Sequence, residues 1–71
     1  MIETYTMTVG PDFTVAYFGR GDHFACLDEW TGRSVQEFAA GMEGRGFQYH
    51  AETTTIGTRT TTEHTWTRRA G

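Results

Sequence analysis

Apolar residues recur at helical spacing in residues 34–46, and this stretch predicts a short amphipathic helix. Ser34 followed three residues later by Glu37 forms a capping box, in which each side chain accepts a backbone N–H of the first turn. Spacings of i, i+3, i+4 and i+7 place four apolar side chains on one helix face: Val35, Phe38, Ala39 and Met42. Gly44 or Gly46 then favours the left-handed conformation that ends a helix.

Before the helix, apolar and polar positions alternate with the period of two that predicts half-buried strands. In residues 2–9 the odd positions from Tyr5 onward are apolar and the even positions from Thr4 onward are threonines. A turn at residues 10–12 leads to a second strand, residues 13–18, and a further turn leads to a third, residues 23–27. These three strands are expected to form an antiparallel meander.

The register of the meander decides which side chains face the helix. A three-residue loop at residues 10–12 pairs Val9 with Phe13, and a two-residue loop at Arg20-Gly21 sets Phe24 beside Tyr17. This register predicts that the helix packs on the apolar residues Tyr5, Met7, Val15, Tyr17 and Phe24. It leaves an apolar reverse face that points outward: Ala16, Phe18, Ala25 and Leu27.

After the helix, residues 47–52 alternate as a fourth strand, and the threonine-rich residues 53–62 predict a hairpin around Gly57. A two-residue loop at Gly57-Thr58 places Trp66 on the face of Tyr49 but sets Glu52 opposite Glu63, whereas a four-residue loop avoids that like-charge pair. Both loops remain open. Residues 68–71 are expected to form a frayed tail.

These segments predict the α+β class, with one domain over residues 1–71. A five-stranded antiparallel sheet in the order β-β-β-α-β-β carries the single helix on one face. A chain of 71 residues builds only a small core, and its one cysteine excludes an internal disulfide. The core is expected to be aromatic, since leucine occurs once beside five Phe, three Tyr and two Trp.

The formal charge of −3 is unevenly distributed. Residues 1–56 carry eight acidic side chains against three arginines, whereas the remainder is net positive. An acidic body repels phosphate backbones and attracts basic partners, so nucleic-acid binding is disfavoured and a protein with a basic surface is favoured. Neither a bilayer-spanning apolar run nor a signal peptide is evident, which predicts a cytoplasmic protein without membrane contact.

No residue pattern indicates a specific chemistry. Cys26 and His23 are three residues apart on a strand and therefore face opposite ways, which argues against a nucleophile and base pair. His50 and His64 lie on opposite faces in the register that buries Trp66, which argues against a metal site. No catalytic residue, metal or cofactor is expected.

By elimination, the sequence favours a non-enzymatic protein-binding module. The expected contact surface combines the outward apolar residues, the acidic residues around them and one loop tryptophan. Its members are Phe18, Asp22, Leu27, Asp28, Glu29, Trp30 and Glu37. Trp30 has a second possible role, in which it covers an open end of the core.

The size and acidity of this domain resemble those of phage- or mobile-element-encoded inhibitors of host defence, of which anti-CRISPR proteins are one example. This resemblance implies inhibition of a host protein in the host cytoplasm. The alternative is a homo-oligomeric subunit or antitoxin-like regulator, in which the apolar reverse face joins two copies as a homodimer. A single-stranded nucleic-acid binder using Trp66, Arg68 and Arg69, or a small metal protein, ranks below both.

Overall fold

The chain forms one five-stranded antiparallel sheet with a single α-helix on one face, as described by a computed structural model for residues 1–69. The predicted α+β fold and element order are confirmed. The strands are β1 (Ile2–Val9), β2 (Thr14–Arg20), β3 (His23–Cys26), β4 (Gln48–Ile56) and β5 (Arg59–Arg69). The helix α1 is Val35–Met42, and a 3₁₀ turn at Asp28–Trp30 precedes it.

The strand order across the sheet is β3-β2-β1-β5-β4, so β1 lies in the centre. β1 pairs with β2 on one side and with β5 on the other, which joins the N-terminal meander to the C-terminal hairpin. α1 connects the two edge strands and packs over the middle of one face. The sheet therefore has one face under the helix and a second face that no other element of residues 1–69 covers.

The helix begins and ends where the sequence predicts. The Glu37 backbone N–H donates to Ser34 Oγ at 3.2 Å, which confirms the N-terminal cap. The helix ends after Met42, and Gly44 follows with a φ of +74°, a left-handed conformation that glycine adopts without a steric penalty. Phe38 and Met42 are buried, so the predicted apolar stripe does face the sheet.

The core is small, and aromatic side chains make up only part of it, because two methionines and an alanine are buried beside them. Its buried members are Met7, Ala16, Phe38, Met42 and Trp66. The ring of Phe38 makes edge-on contacts with three aromatic side chains, at centroid distances of 5.0 Å to Trp30, 5.3 Å to Trp66 and 5.9 Å to Tyr5. Such geometry adds to the stabilisation from burial alone.

The predicted register of the first hairpin is wrong by one residue. Val9 pairs with Thr14 and Met7 with Ala16, so the loop has four residues instead of three. Phe13 belongs to that loop, because its carbonyl accepts the Gly10 N–H at 2.9 Å and its ring lies where a side chain on Gly10 would stand. A one-residue shift reverses every side chain of β2.

The exchange of faces extends into β3. The β2–β3 loop is Gly21-Asp22 instead of Arg20-Gly21, one residue further along the chain. Each residue of β3 therefore pairs two positions away from its expected partner, and the same side chains still share a face. Ala16 and Phe18 therefore lie on the helix side together with Ala25 and Leu27, which corrects the predicted outward patch. Leu27 donates its N–H to the Ala16 carbonyl at 2.8 Å and packs against the core. Three of the side chains predicted to lie under the helix are on the uncovered face instead: Val15, Tyr17 and Phe24.

The C-terminal hairpin uses the two-residue loop. Ile56 pairs with Arg59 around Gly57-Thr58, and Gly57 has the positive φ that its position in this tight turn requires. Tyr49 pairs with Trp66, as expected. Glu52 consequently lies opposite Glu63, the like-charge pair that the four-residue loop would have avoided.

Two threonine pairs on the helix face hold this hairpin together beyond the like-charge pair. The hydroxyls of Thr53 and Thr62 lie 3.0 Å apart, and those of Thr55 and Thr60 lie 3.1 Å apart. Cross-strand threonine hydrogen bonds of this kind stabilise a sheet, and here they oppose the repulsion between the two glutamates.

The chain remains ordered into the segment expected to fray. β5 continues to Arg69, which pairs with Ile2, and Arg68 forms an ion pair with Glu3 at 2.7 Å. The frayed-tail expectation is therefore wrong for residues 68 and 69. Residues 70 and 71 lie outside the described residues.

Candidate protein-binding surface

The uncovered sheet face carries an apolar cluster at its β2–β3 end. We call this cluster the Phe24 patch and define it by Val15, Tyr17, Phe24 and Cys26. Tyr17 pairs with Cys26 across the two strands, and Val15 and Phe24 lie on the same face at either side of that pair. The four side chains therefore form one contiguous surface at the edge of the sheet.

Phe24 is the most prominent member of the patch. Its side chain is 73% exposed, and its ring stacks on that of Tyr17 with 5.2 Å between centroids and 23° between planes. The stacked rings present a large apolar surface to solvent. Both belong to strands, β2 and β3, whose backbones are held in place by pairing with each other. An exposed aromatic pair on a rigid element resembles the anchors that dominate protein interfaces.

Acidic residues lie next to the patch beyond both ends of β3. The Cys26 thiol donates to Asp28 Oδ1 at 3.2 Å, so Asp28 lies at the rim. This hydrogen bond, partial desolvation and the negative charges of Asp28 and Glu29 together raise the pKa of the Cys26 thiol. Asp22 lies in the β2–β3 turn beside the same strand. The thiol is thereby kept in its neutral form, while the rim carries negative charge.

The other predicted surface residues lie elsewhere. Phe18 lies on the helix face, where its ring is 4.6 Å from that of Tyr5. Trp30 packs edge-on against Phe38 beneath the guanidinium of Arg33, so it serves as a cover of the core and not as an exposed anchor. Glu37 pairs with Arg33 at 3.1 Å at the start of the helix.

Sequence reasoning places three members of the Phe24 patch in the core instead of on the surface: Val15, Tyr17 and Phe24. β2 and β3 carry apolar side chains on both faces, so the alternation of apolar and polar residues cannot show which face is buried. The only signal in the sequence is the length of the first loop. If the first loop has four residues and includes Phe13, the pattern predicts that Tyr17 and Phe24 are exposed and that Phe18 is buried.

A groove on the helix face separates α1 from β4. Its volume is about 520 Å³, and its apolar floor and walls include Ala39, Tyr49 and Trp66. The Tyr49 hydroxyl and His64 Nδ1 lie 2.6 Å apart beside it, within hydrogen-bond distance. This bond holds the Tyr49 ring against His64 and Trp66 of β5, whose ring centroids are 5.9 and 5.2 Å from its own.

The arrangement of titratable groups matches the expected separation of the histidines. His50 lies on the uncovered face and His64 on the helix face. His23 and Cys26 also lie on opposite faces of β3. In residues 1–69, no three His, Cys, Asp or Glu side chains come together in a way that could hold a metal ion.

No protein-family model matches this chain, and no curated protein matches it. None of the helices formed by residues 1–69 has the length and apolarity needed to cross a membrane.

Proposed function

We propose that this protein is a non-enzymatic protein-binding module that contacts a basic protein surface through the Phe24 patch. The observation that carries the proposal is the 73% exposed Phe24 ring stacked on Tyr17 on an uncovered sheet face. Exposed apolar patches rimmed by polar residues mark interaction sites, and this one contains two stacked aromatic rings.

Charge defines the chemistry of the partner. Asp28 accepts a hydrogen bond from Cys26 of the patch, and the negative charge of Glu29 acts on the same thiol. Asp22 lies in the adjoining turn, and residues 1–56 as a whole are net acidic. A basic surface with an apolar pocket complements this arrangement, because opposite charges accelerate the encounter while the aromatic contact slows dissociation.

We further propose that binding inhibits the partner protein. A small module with one main contact surface can inhibit another protein by covering its functional surface, as phage-encoded inhibitors such as anti-CRISPR proteins do. The resemblance in size and acidity supports this narrower proposal.

Selection from a random peptide display library tests the binding chemistry and does not require that the partner be identified first. Wild-type protein is expected to enrich peptides that combine Arg or Lys with a large apolar residue. These peptides should lose binding to Phe24→Ser and retain it with Ile56→Ala, a matched control that removes a 77% exposed side chain at the hairpin tip. Equal binding to wild type and Phe24→Ser would overturn the proposal.

Kinetics with a selected peptide separate the two contributions. Charge reversal at Asp28 and Glu29 should slow association and weaken its dependence on salt, because it removes long-range attraction. Phe24→Ala should instead accelerate dissociation, because it removes a desolvated contact. A charge reversal that changes only dissociation would contradict the steering role of the acidic rim.

A further inference from the structure

β4 is an edge strand with nine residues, and none of the strands in the described chain pairs with its outer side. Its pairing with β5 runs without a bulge from Gln48 to Ile56, and it contains neither proline nor lysine. Proteins normally protect an exposed edge by one of these devices or by keeping the strand short. The opposite edge, β3, has only four residues. β4 thus offers a long and regular template for another strand.

The direction of the free backbone groups follows from the hairpin turn. Ile56 and Arg59 close the two-residue loop as a hydrogen-bonded pair, and hydrogen-bonded pairs alternate along an antiparallel ladder. The even residues of β4 therefore bond to β5. The odd residues Tyr49, Ala51 and Thr53 direct their N–H and C=O groups outward.

We propose that β4 pairs antiparallel with β4 of a second copy of this chain, with Ala51 opposite Ala51 at the two-fold axis. A two-fold interface places residue i against j and j against i, so the strand must complement itself. In this register His50 of one copy lies opposite Glu52 of the other, and the same pair forms twice. Tyr49 lies opposite Thr53, with no like charges in contact.

Charge favours this register over its neighbours. Moving the axis by one residue to Glu52 would set two Glu52 carboxylates against each other, and moving it to His50 would pair two histidines. This register also gives Glu52 a favourable partner, although within each chain it lies opposite the like-charged Glu63. The partner's His50 imidazole would supply Glu52 with a hydrogen-bond donor from the outer side of β4, whereas β5 places a second carboxylate on its inner side.

The dimer has a geometric consequence for the rest of the surface. Side chains that pair across an antiparallel seam lie on the same face, so the two uncovered faces join into one face of a ten-stranded sheet. The two Phe24 patches then lie at the far ends of that face. The interface uses the edge opposite to the Phe24 patch, so self-association and partner binding are separable by mutation.

Light scattering coupled to gel filtration over a concentration series tests the proposal. Wild type is expected to shift from the monomer mass of 8.0 kDa toward twice that mass as concentration rises. Ala51→Pro should remain at the monomer mass, because proline removes an outward N–H at the axis and leaves the β4–β5 bonds intact. Phe24→Ser is the matched control and should dimerise as wild type does.

Charge exchange tests the register and does not depend on the proline variant. His50→Glu should raise the dissociation constant of the dimer about tenfold, because it sets a second carboxylate against Glu52 at two symmetric positions of the seam. The double variant His50→Glu, Glu52→Lys should restore the dimer with the charges reversed. Circular dichroism confirms that each variant is folded.

Three results would overturn the proposal. The first is a wild type that stays monomeric at about 1 mM, the concentration at which even an affinity of about −4 kcal/mol half-populates a complex. The second is a dimer unaffected by Ala51→Pro. The third is a dimer that Phe24→Ser abolishes, which would assign self-association to the Phe24 patch.

Discussion

The ring of Phe38 meets the indole of Trp66 edge-on, with 5.3 Å between their centroids. This contact joins the helix to β5, the strand that links the N-terminal meander to the C-terminal hairpin. Phe38 also touches Tyr5 of β1 and Trp30 of the 3₁₀ turn. One side chain thus holds together two strands of the sheet and the loop that leads to the helix.

We expect Phe38→Ala to lower the free energy of unfolding by about 3 to 5 kcal/mol, because it removes a buried aromatic ring and leaves a cavity. Small domains have little stability in reserve, so the variant should be largely unfolded by circular dichroism or urea titration. Phe24→Ala is the matched control and should melt near the wild-type temperature, since that ring is exposed. A folded Phe38→Ala with an unchanged melting temperature would contradict this account of the core.

Two exposed glycines of the helix region should respond oppositely to alanine. A Cβ on either Gly41 or Gly44 meets no atom within 4 Å, so only backbone conformation distinguishes them. Gly41→Ala should stabilise the protein by about 0.5 to 1 kcal/mol, because Gly41 lies within the helix. Gly44→Ala should destabilise it by about 1 to 2 kcal/mol, because Gly44 has a φ of +74°. Urea denaturation measures both, and equal signs would refute the assigned helix end.

The helix was predictable because several independent signals agree there. The Ser34 cap, the apolar stripe and the glycines each indicate the same boundaries, and the stripe has a single hydrophobic face. The shared face of β4 and β5 was also predictable, because Trp66 and Tyr49 are large apolar residues on otherwise polar strands. Only the choice between a two-residue and a four-residue loop stayed open. Such strands lose much burial if they shift by one residue.

β2 and the binding surface were not predictable for the opposite reason. Either face of β2 presents apolar side chains, Val15 and Tyr17 on one and Ala16 and Phe18 on the other. The pattern therefore assigns no face, and the register depends on whether Phe13 belongs to the strand or to the loop. In the fold, Phe13 belongs to the loop, and Ala16 is fully buried beneath the helix in the same core as Phe38.

Cys26 is expected to react slowly with alkylating agents at neutral pH. The carboxylate of Asp28 accepts a hydrogen bond from the thiol and raises the thiol pKa, which reduces the fraction of Cys26 present as thiolate. Asp28→Ala should shift the pH profile of iodoacetamide modification to lower pH and accelerate the reaction at neutral pH. Mass spectrometry of the alkylated protein follows the rate.

Glu37→Ala provides the control for the Cys26 experiment. It removes the same formal charge from the helix side of the molecule, where Glu37 pairs with Arg33. The modification rate of Cys26 should then stay near that of wild type. Equal acceleration by both variants would show that net charge, and not the Asp28 hydrogen bond, protects the thiol.

The ion pair between Glu3 and Arg68 closes the end of the β1–β5 ladder. Arg68 Nε donates to Glu3 Oε1 at 2.7 Å, and the Glu3 side chain is largely buried. The hydrogen bond from Arg68, reinforced by the positive charges of Arg68, Arg20 and Arg45, lowers the pKa of Glu3 below its ordinary value of 4.5, against the opposing effect of desolvation. Arg68 also donates to the Arg45 carbonyl and covers the Phe47 ring.

A carboxyl group whose pKa is lower in the folded state stabilises that state above its unfolded pKa and loses this effect as pH falls through its folded pKa. We therefore expect Glu3→Gln to melt below wild type at pH 7, with the difference vanishing as pH falls below 4.5. Glu3 is the position to substitute, because replacing Arg68 would also remove its two other contacts. Thermal melts from pH 7 to pH 2 give the comparison, and Glu37→Gln, which breaks an exposed pair, should show a smaller difference throughout. A melting difference for Glu3→Gln that stays constant across this range would show that the side chain acts through packing and not through its charge.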